Sequence, residues 1–166
     1  MKKNLLYLLM LLAMPMAFVA CGDDDDDKDV KPTTVNATGT YDGDIVLLVD
    51  GENLFEAAAG STSSSSPIEF SLNQKANSTD LAIDDELLYI GNIVLSVENI
   101  ASTATSEKLT LNGTNINVEK NIIGLDVTIN TVTGTVDKNG KATLNISAVA
   151  PALSQNVEIE ITAQKK

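Results

Sequence analysis

The 166-residue chain has no histidine, no tryptophan, no arginine and a single cysteine, Cys21. Without histidine, no Ser-His-Asp or Cys-His arrangement can form. A zinc site of the histidine or cysteine kind is excluded for the same reason. No disulfide can close within the chain, so packing alone must hold the fold. For catalysis this leaves carboxylate pairs, lysine, tyrosine and serine. Positive charge is also scarce. Eleven lysines face 23 acids, and two of them, Lys2 and Lys3, precede Cys21. A chain beginning at Cys21 keeps nine lysines and a net charge of −14. That balance argues against nucleic acid as a partner and against charge-driven binding to anionic lipid, and it favours solubility.

What is present begins with the first 29 residues. Lys2 and Lys3 precede an apolar run of ten residues, 5–14, which Pro15 breaks. As a helix the run would span about 15 Å, half of a bilayer core of about 30 Å. It reads as the apolar segment of a secretory signal peptide rather than a membrane span. Phe18-Val19-Ala20-Cys21 resembles a bacterial lipobox. That resemblance implies cleavage before Cys21 and acylation of its sulfur and new amino group, so that residues 1–20 are removed. Each buried CH₂ contributes about 0.8 kcal/mol, and two lipid signals already suffice for stable anchoring. A lone thiol in an exported chain calls for an explanation, and lipidation supplies one. Residues 23–27 and 29 are aspartates, which repel one another and stay solvated. A carboxylate run so close to the lipidated cysteine resembles the surface-export signal of Bacteroidetes lipoproteins. It implies the outer face of the outer membrane, with residues 21–38 as a lipidated acidic tether.

From Gly39 the apolar residues alternate, the signature of half-buried strands. Tyr41, Ile45 and Leu47 share one face, and Asp50-Gly51 suits a hairpin turn. Residues 52–57 read as a return strand and residues 58–67 as a low-complexity loop. Ile68, Phe70 and Leu72 form the next strand, and Leu81 and Ile83 a short one closed by Asp84-Asp85-Glu86. Residues 87–97 read as one long strand bent at Gly91, or as two strands joined by a tight turn. Residues 101–106 read as a loop. Leu109, Leu111, Ile116 and Val118 flank Asn112-Gly113 as a hairpin or a bulged strand. Leu125, Val127 and Ile129 alternate, but Val132 and Val136 have the opposite parity, so the inward face changes near Thr131. After a turn at residues 137–140, the last two strands carry Ala142, Leu144, Ile146 and Ala148, then Val157, Ile159, Ile161 and Ala163. Eight or nine strands without an amphipathic helix predict an all-β fold over residues 39–166. The form expected is an antiparallel up-and-down barrel of about eight strands, with a β-sandwich as the alternative. A membrane-spanning barrel is disfavoured, because outward positions carry Glu, Asp, Lys and Asn rather than an apolar band.

Gly39-Thr40-Tyr41-Asp42-Gly43, Gly91-Asn92-Ile93-Val94-Leu95, Gly140-Lys141-Ala142-Thr143-Leu144 and Val157-Glu158-Ile159-Glu160-Ile161 together resemble the calycin-like lipoproteins of Bacteroidales. The resemblance implies an eight-stranded barrel similar to lipocalins, which often hold a small apolar ligand. Lipocalins carry Gly-x-Trp on their first strand and stack an arginine over the ring. Here Tyr41 takes the ring position, and only Lys165 or Lys166 could stand in for the arginine.

Tyr41, Phe70 and Tyr89 are the candidate ligand-lining residues, with Phe55 the remaining aromatic of the mature chain; core packing is the simpler reading of all four. Asp84-Asp85-Glu86 reads as a solvated turn rather than a calcium site. Asp42 and Asp44 read as a solvated face rather than half of a catalytic acid pair. No metal or cofactor is expected. Three functions follow. The favoured one is a surface binding module that takes a small molecule or glycan at the barrel mouth. The second is an interaction module that presents loops and has no ligand cavity. The third, a carboxylate hydrolase, has no support, and no enzyme activity is expected. Barrel volume separates the first two, because a ligand needs about 300 Å³ or more.

Overall fold

The computed structural model describes residues 34–60 and 63–166. Cys21, with the lipidation and export signals around it, lies outside the described residues. The elements in order are β1 (Gly39–Val49), β2 (Glu52–Asn53), α1 (Leu54–Ala59), β3 (Ser66–Gln74), β4 (Ser78–Leu87), β5 (Gly91–Ala104), β6 (Lys108–Ile122), β7 (Leu125–Asp137), β8 (Lys141–Ala150) and β9 (Gln155–Lys165). From β3 to β9 each strand pairs antiparallel with the next. β1 lies between β3 and β9 and closes the ring, in register from Tyr41↔Lys165 to Val49↔Val157. The result is a closed eight-stranded up-and-down barrel, with β2 attached to β1 outside it. Closure rules out the sandwich, and every strand of the ring has a partner on each side. The architecture is consistent with the calycin-like fold.

Alternation explains the wall. On β9, Val157, Ile159, Ile161 and Ala163 are buried while Glu158, Glu160 and Thr162 are exposed. The inward faces of the eight strands meet in one apolar cluster. Close strand approaches need glycine. A Cβ at Gly43 would fall 2.1 Å from the Thr162 carbonyl oxygen, and one at Gly134 would fall 2.3 Å from that of Thr143. Barrels curl most where side chains are absent.

The irregularities fall near the expected places. β6 gains two residues on β7 between Thr114 and Val118, with Asn115 and Asn117 at φ 55° and 53°. It is therefore a bulged strand, not a hairpin. A register shift between Ile129 and Thr131 lets Ile129 and Val132 both face inward, which is the change of face expected near Thr131.

Three local readings need correction, and a fourth, residues 87–97, is decided in favour of the second of its two alternatives. Residues 54–59 form a helix, not a return strand. The Asn53 side chain accepts from the Phe55 and Glu56 N–H groups, and Gly60 ends the helix in the left-handed region (φ 65°). Between those caps, Leu-Phe-Glu-Ala-Ala-Ala has strong helical preference. Residues 87–97 are two strands: β4 ends at Leu87, and Tyr89 (φ 66°) and Gly91 (φ 111°) turn the chain into β5. Asp84, Asp85 and Glu86 lie within β4. β5 continues to Ala104, because Ser102 is buried with its hydroxyl 2.9 Å from that of Thr79. Paired with each other, two buried polar groups need no apolar pattern.

Alternating strand directions sort the turns onto two ends. The near end receives the chain and carries turns 75–77, 105–107 and 138–140 together with the C-terminus. The far end carries the Asp50-Gly51 turn, α1, and turns 88–90, 123–124 and 151–154. Residues 34–38 cross the near end. Val35 N–H donates to the Thr105 carbonyl at 2.8 Å, and Ala37 N–H donates to Gln74 Oε1 at 2.7 Å. Ala37 is fully buried there.

Candidate functional site at the far end

The structure brings two of the three candidate aromatics together. Tyr41 and Phe70 are cross-strand partners on β1 and β3, with ring centroids 5.1 Å apart and planes 10° from parallel. Both are buried in the apolar cluster. The Tyr41 hydroxyl donates to the Ala37 carbonyl at 2.7 Å, and burial pushes its pKa up to about 12. Stacking fixes the rings, and the hydrogen bond ties the inward ring to the strap over the near end. Lys165 lies across from Tyr41 on β9, and its Nζ donates to the Asn36 carbonyl at 2.9 Å. Tyr89 is elsewhere, 67% exposed in the far-end turn 88–90. Phe55 is wholly buried, carried into the cluster by α1.

Ile, Leu, Val and aromatic side chains from every barrel strand occupy the interior. Residues 34–38 cross one end, and Phe55 on α1 packs into the cluster from the other. Two spaces large enough for a ligand lie outside that cluster. A cavity of about 530 Å³ lies at the near end beside Asn36, Asp137, Lys138, Lys165 and Lys166. A groove of about 550 Å³ lies at the far end, lined by Glu119, Lys120, Asn121, Asp126, Val127, Thr128, Pro151 and Ala152.

Three of the six near-end lysines are engaged with carboxylates. Lys166 bridges Asp42 and Glu69, and Lys138 pairs with Glu107. The carboxylates hold both ammonium groups above the ordinary lysine range. Asp80 accepts from the Asn99 N–H and from Lys75, and these bonds hold its pKa below the usual carboxylate range. Asp42 therefore serves an ion pair on the outer wall, and Asp44 is exposed beside it. Asp85 also has a structural role. It accepts from the Glu69 N–H at 2.7 Å, where β3 and β4 part below Phe70↔Ile83.

The far-end groove arises from unequal strand lengths. The β6–β7 ladder continues to Ile122↔Leu125, whereas β7–β8 stops at Thr128↔Val149. The hairpin tip therefore projects beyond β8, and Pro151 turns the chain toward β9 beside it. At the tip, Ile123 and Gly124 take φ 48° and 82°. A β-branched residue there is strained, at a cost of order 1–3 kcal/mol. Asn121 Oδ1 accepts from the Gly124 N–H at 3.1 Å, and its Nδ2 donates to Asp126 Oδ1 at 2.7 Å. This relay fixes one oxygen of the Asp126 carboxylate and leaves Oδ2 without a partner among the described residues.

The sequence reading missed this site. Its signal was Asn121 and Asp126 bracketing Ile-Ile-Gly-Leu, with Pro151 marking the neighbouring turn. Compared with known proteins, the chain matches no family model, no curated protein and no solved structure.

Proposed function

We propose that this chain is a non-enzymatic, lipid-anchored outer-membrane protein of the calycin-like kind, facing outward, whose barrel is a scaffold for its far-end loops. The observation that carries this reading is the filled interior: the stacked Tyr41 and Phe70 and the sunken Phe55 occupy the place where a lipocalin would keep a ligand. Of the two binding hypotheses, presentation fits better than a ligand within the barrel. The described chain begins at the near end, where Thr34 to Thr38, the last residues of the tether, form the strap. The acyl chains on Cys21 and the acidic residues after it supply attachment and export. Protease added to intact cells is expected to remove the barrel, and Cys21→Ser is expected to abolish fatty-acid labelling and membrane fractionation. Sensitivity only in permeabilised cells would place the barrel inside.

A further inference from the structure

Building on that reading, we infer that the far-end groove between the β6–β7 tip and the β8–β9 turn docks a protein segment carrying a lysine or arginine next to apolar side chains. Two independent features point to that occupant. The first is apolar exposure. Leu153, 55% exposed, follows the groove-lining residues Pro151 and Ala152 in the β8–β9 turn. Leu88 and Tyr89, 49% and 67% exposed, stand on the same end. Among the described residues, the near end shows none of the large exposed apolar side chains.

The second feature is charge. Six of the seven lysines in the described residues, Lys75, Lys108, Lys138, Lys141, Lys165 and Lys166, sit at or beside the near end. The far end has Lys120 alone. It faces Asp50, Glu52, Glu56, Asp85, Glu86, Glu119 and Asp126, and no ion pair forms there among the described residues. Within the groove, Glu119 and Asp126 outnumber Lys120. Asp126 is held by Asn121 on a two-residue turn, so an incoming cation would meet an oriented acceptor. An apolar contact surrounding a desolvated charge pair is the usual anatomy of a small docking site.

The test uses the full mature chain in neutral detergent and a fluorescein-labelled hexapeptide of alternating lysine and leucine, read by anisotropy. Asp126→Asn keeps the shape of the tip and removes one charge. Leu153→Ser removes the apolar contact. Glu98→Gln removes an equal charge from an exposed site on the β5 wall. Urea midpoints confirm that each variant is folded. Asp126→Asn and Leu153→Ser are each expected to weaken binding ~10-fold, while Glu98→Gln leaves it unchanged. Equal loss in Glu98→Gln and Asp126→Asn would mean that the peptide senses only net charge, and would overturn the site. So would no binding by the parent at about 1 mM peptide, or a dimer that Leu153→Ser dissociates, since the occupant would then be a second copy. Binding through Asp126 in a chain that protease cannot reach on intact cells would support the groove and overturn the surface placement, so the two readings fail separately.

Discussion

The two ends of the barrel are finished differently. At the near end, charge meets charge: Lys166 with Asp42 and Glu69, Lys138 with Glu107, Lys75 with Asp80. The strap of residues 34–38 adds main-chain hydrogen bonds and buries Ala37. At the far end the acids form no ion pair among the described residues, large apolar side chains are exposed, and Ile123 is held in a conformation it disfavours. An end whose polar groups satisfy one another has little left to offer a partner. An end left with unbalanced charge and exposed apolar area gives up stability and keeps binding capacity. The near end is the structural side, and the far end is the side we propose for docking.

The largest effect expected from breaking this division is in the interior near the strap. Phe70→Ala removes half of the aromatic stack and should cost about 3–5 kcal/mol, measured by urea unfolding. If the barrel stays folded, it should also begin to take up a small apolar dye that the parent ignores.

Tyr41 supplies a pH test of the same region. Its folded pKa of about 12 lies above the unfolded value near 10. The native state therefore keeps its proton between those values while the unfolded chain loses it. Stability is intact below pH 10 and falls as pH rises toward 12, by on the order of 2–3 kcal/mol. Tyr41→Phe should lose stability at neutral pH, because the Ala37 carbonyl loses its donor, and should flatten much of the alkaline slope. Lys138 and Lys166 add smaller losses in the same direction. An unchanged slope in Tyr41→Phe would mean that the phenol does not report the closed near end.

At the far end the effects are smaller and differ in sign. Asn53→Ala removes the cap of α1 and should cost about 1 kcal/mol. Ile123→Asn places a residue that tolerates positive φ on the hairpin tip and should stabilise the chain by about 1 kcal/mol, seen as a raised urea midpoint. Smallest of all, Lys166→Ala on the near-end surface should shift the midpoint within the scatter of repeated melts at physiological salt, because exposed ion pairs contribute little.

The barrel was legible because period-two patterning survives wherever one face meets the core. β3, β8 and β9 follow their apolar residues with little deviation, and the change of parity at Thr131 announced the shift of register in β7. The pattern failed where another signal competed. α1 was written in its caps, Asn53 and Gly60, rather than in periodicity. The end of β5 was hidden by Thr79 and Ser102, two polar residues that satisfy each other in the interior. Leu88, Tyr89 and Ile90 looked like buried strand because they are apolar, yet Leu88 and Tyr89 are exposed in a turn. Tyr89 could not be told from Tyr41 by residue type alone. The groove was invisible for a different reason. It depends on β6 and β7 outlasting β8, a comparison of lengths between strands that no single window of sequence contains.

Native mass spectrometry of the chain purified from cells that make it tests the filled, anchored barrel most directly. The expected mass is that of residues 21–166 plus acyl groups on Cys21, with no small molecule retained. A stoichiometric apolar compound that stays bound until the barrel unfolds would contradict a filled interior and return the function to ligand carriage.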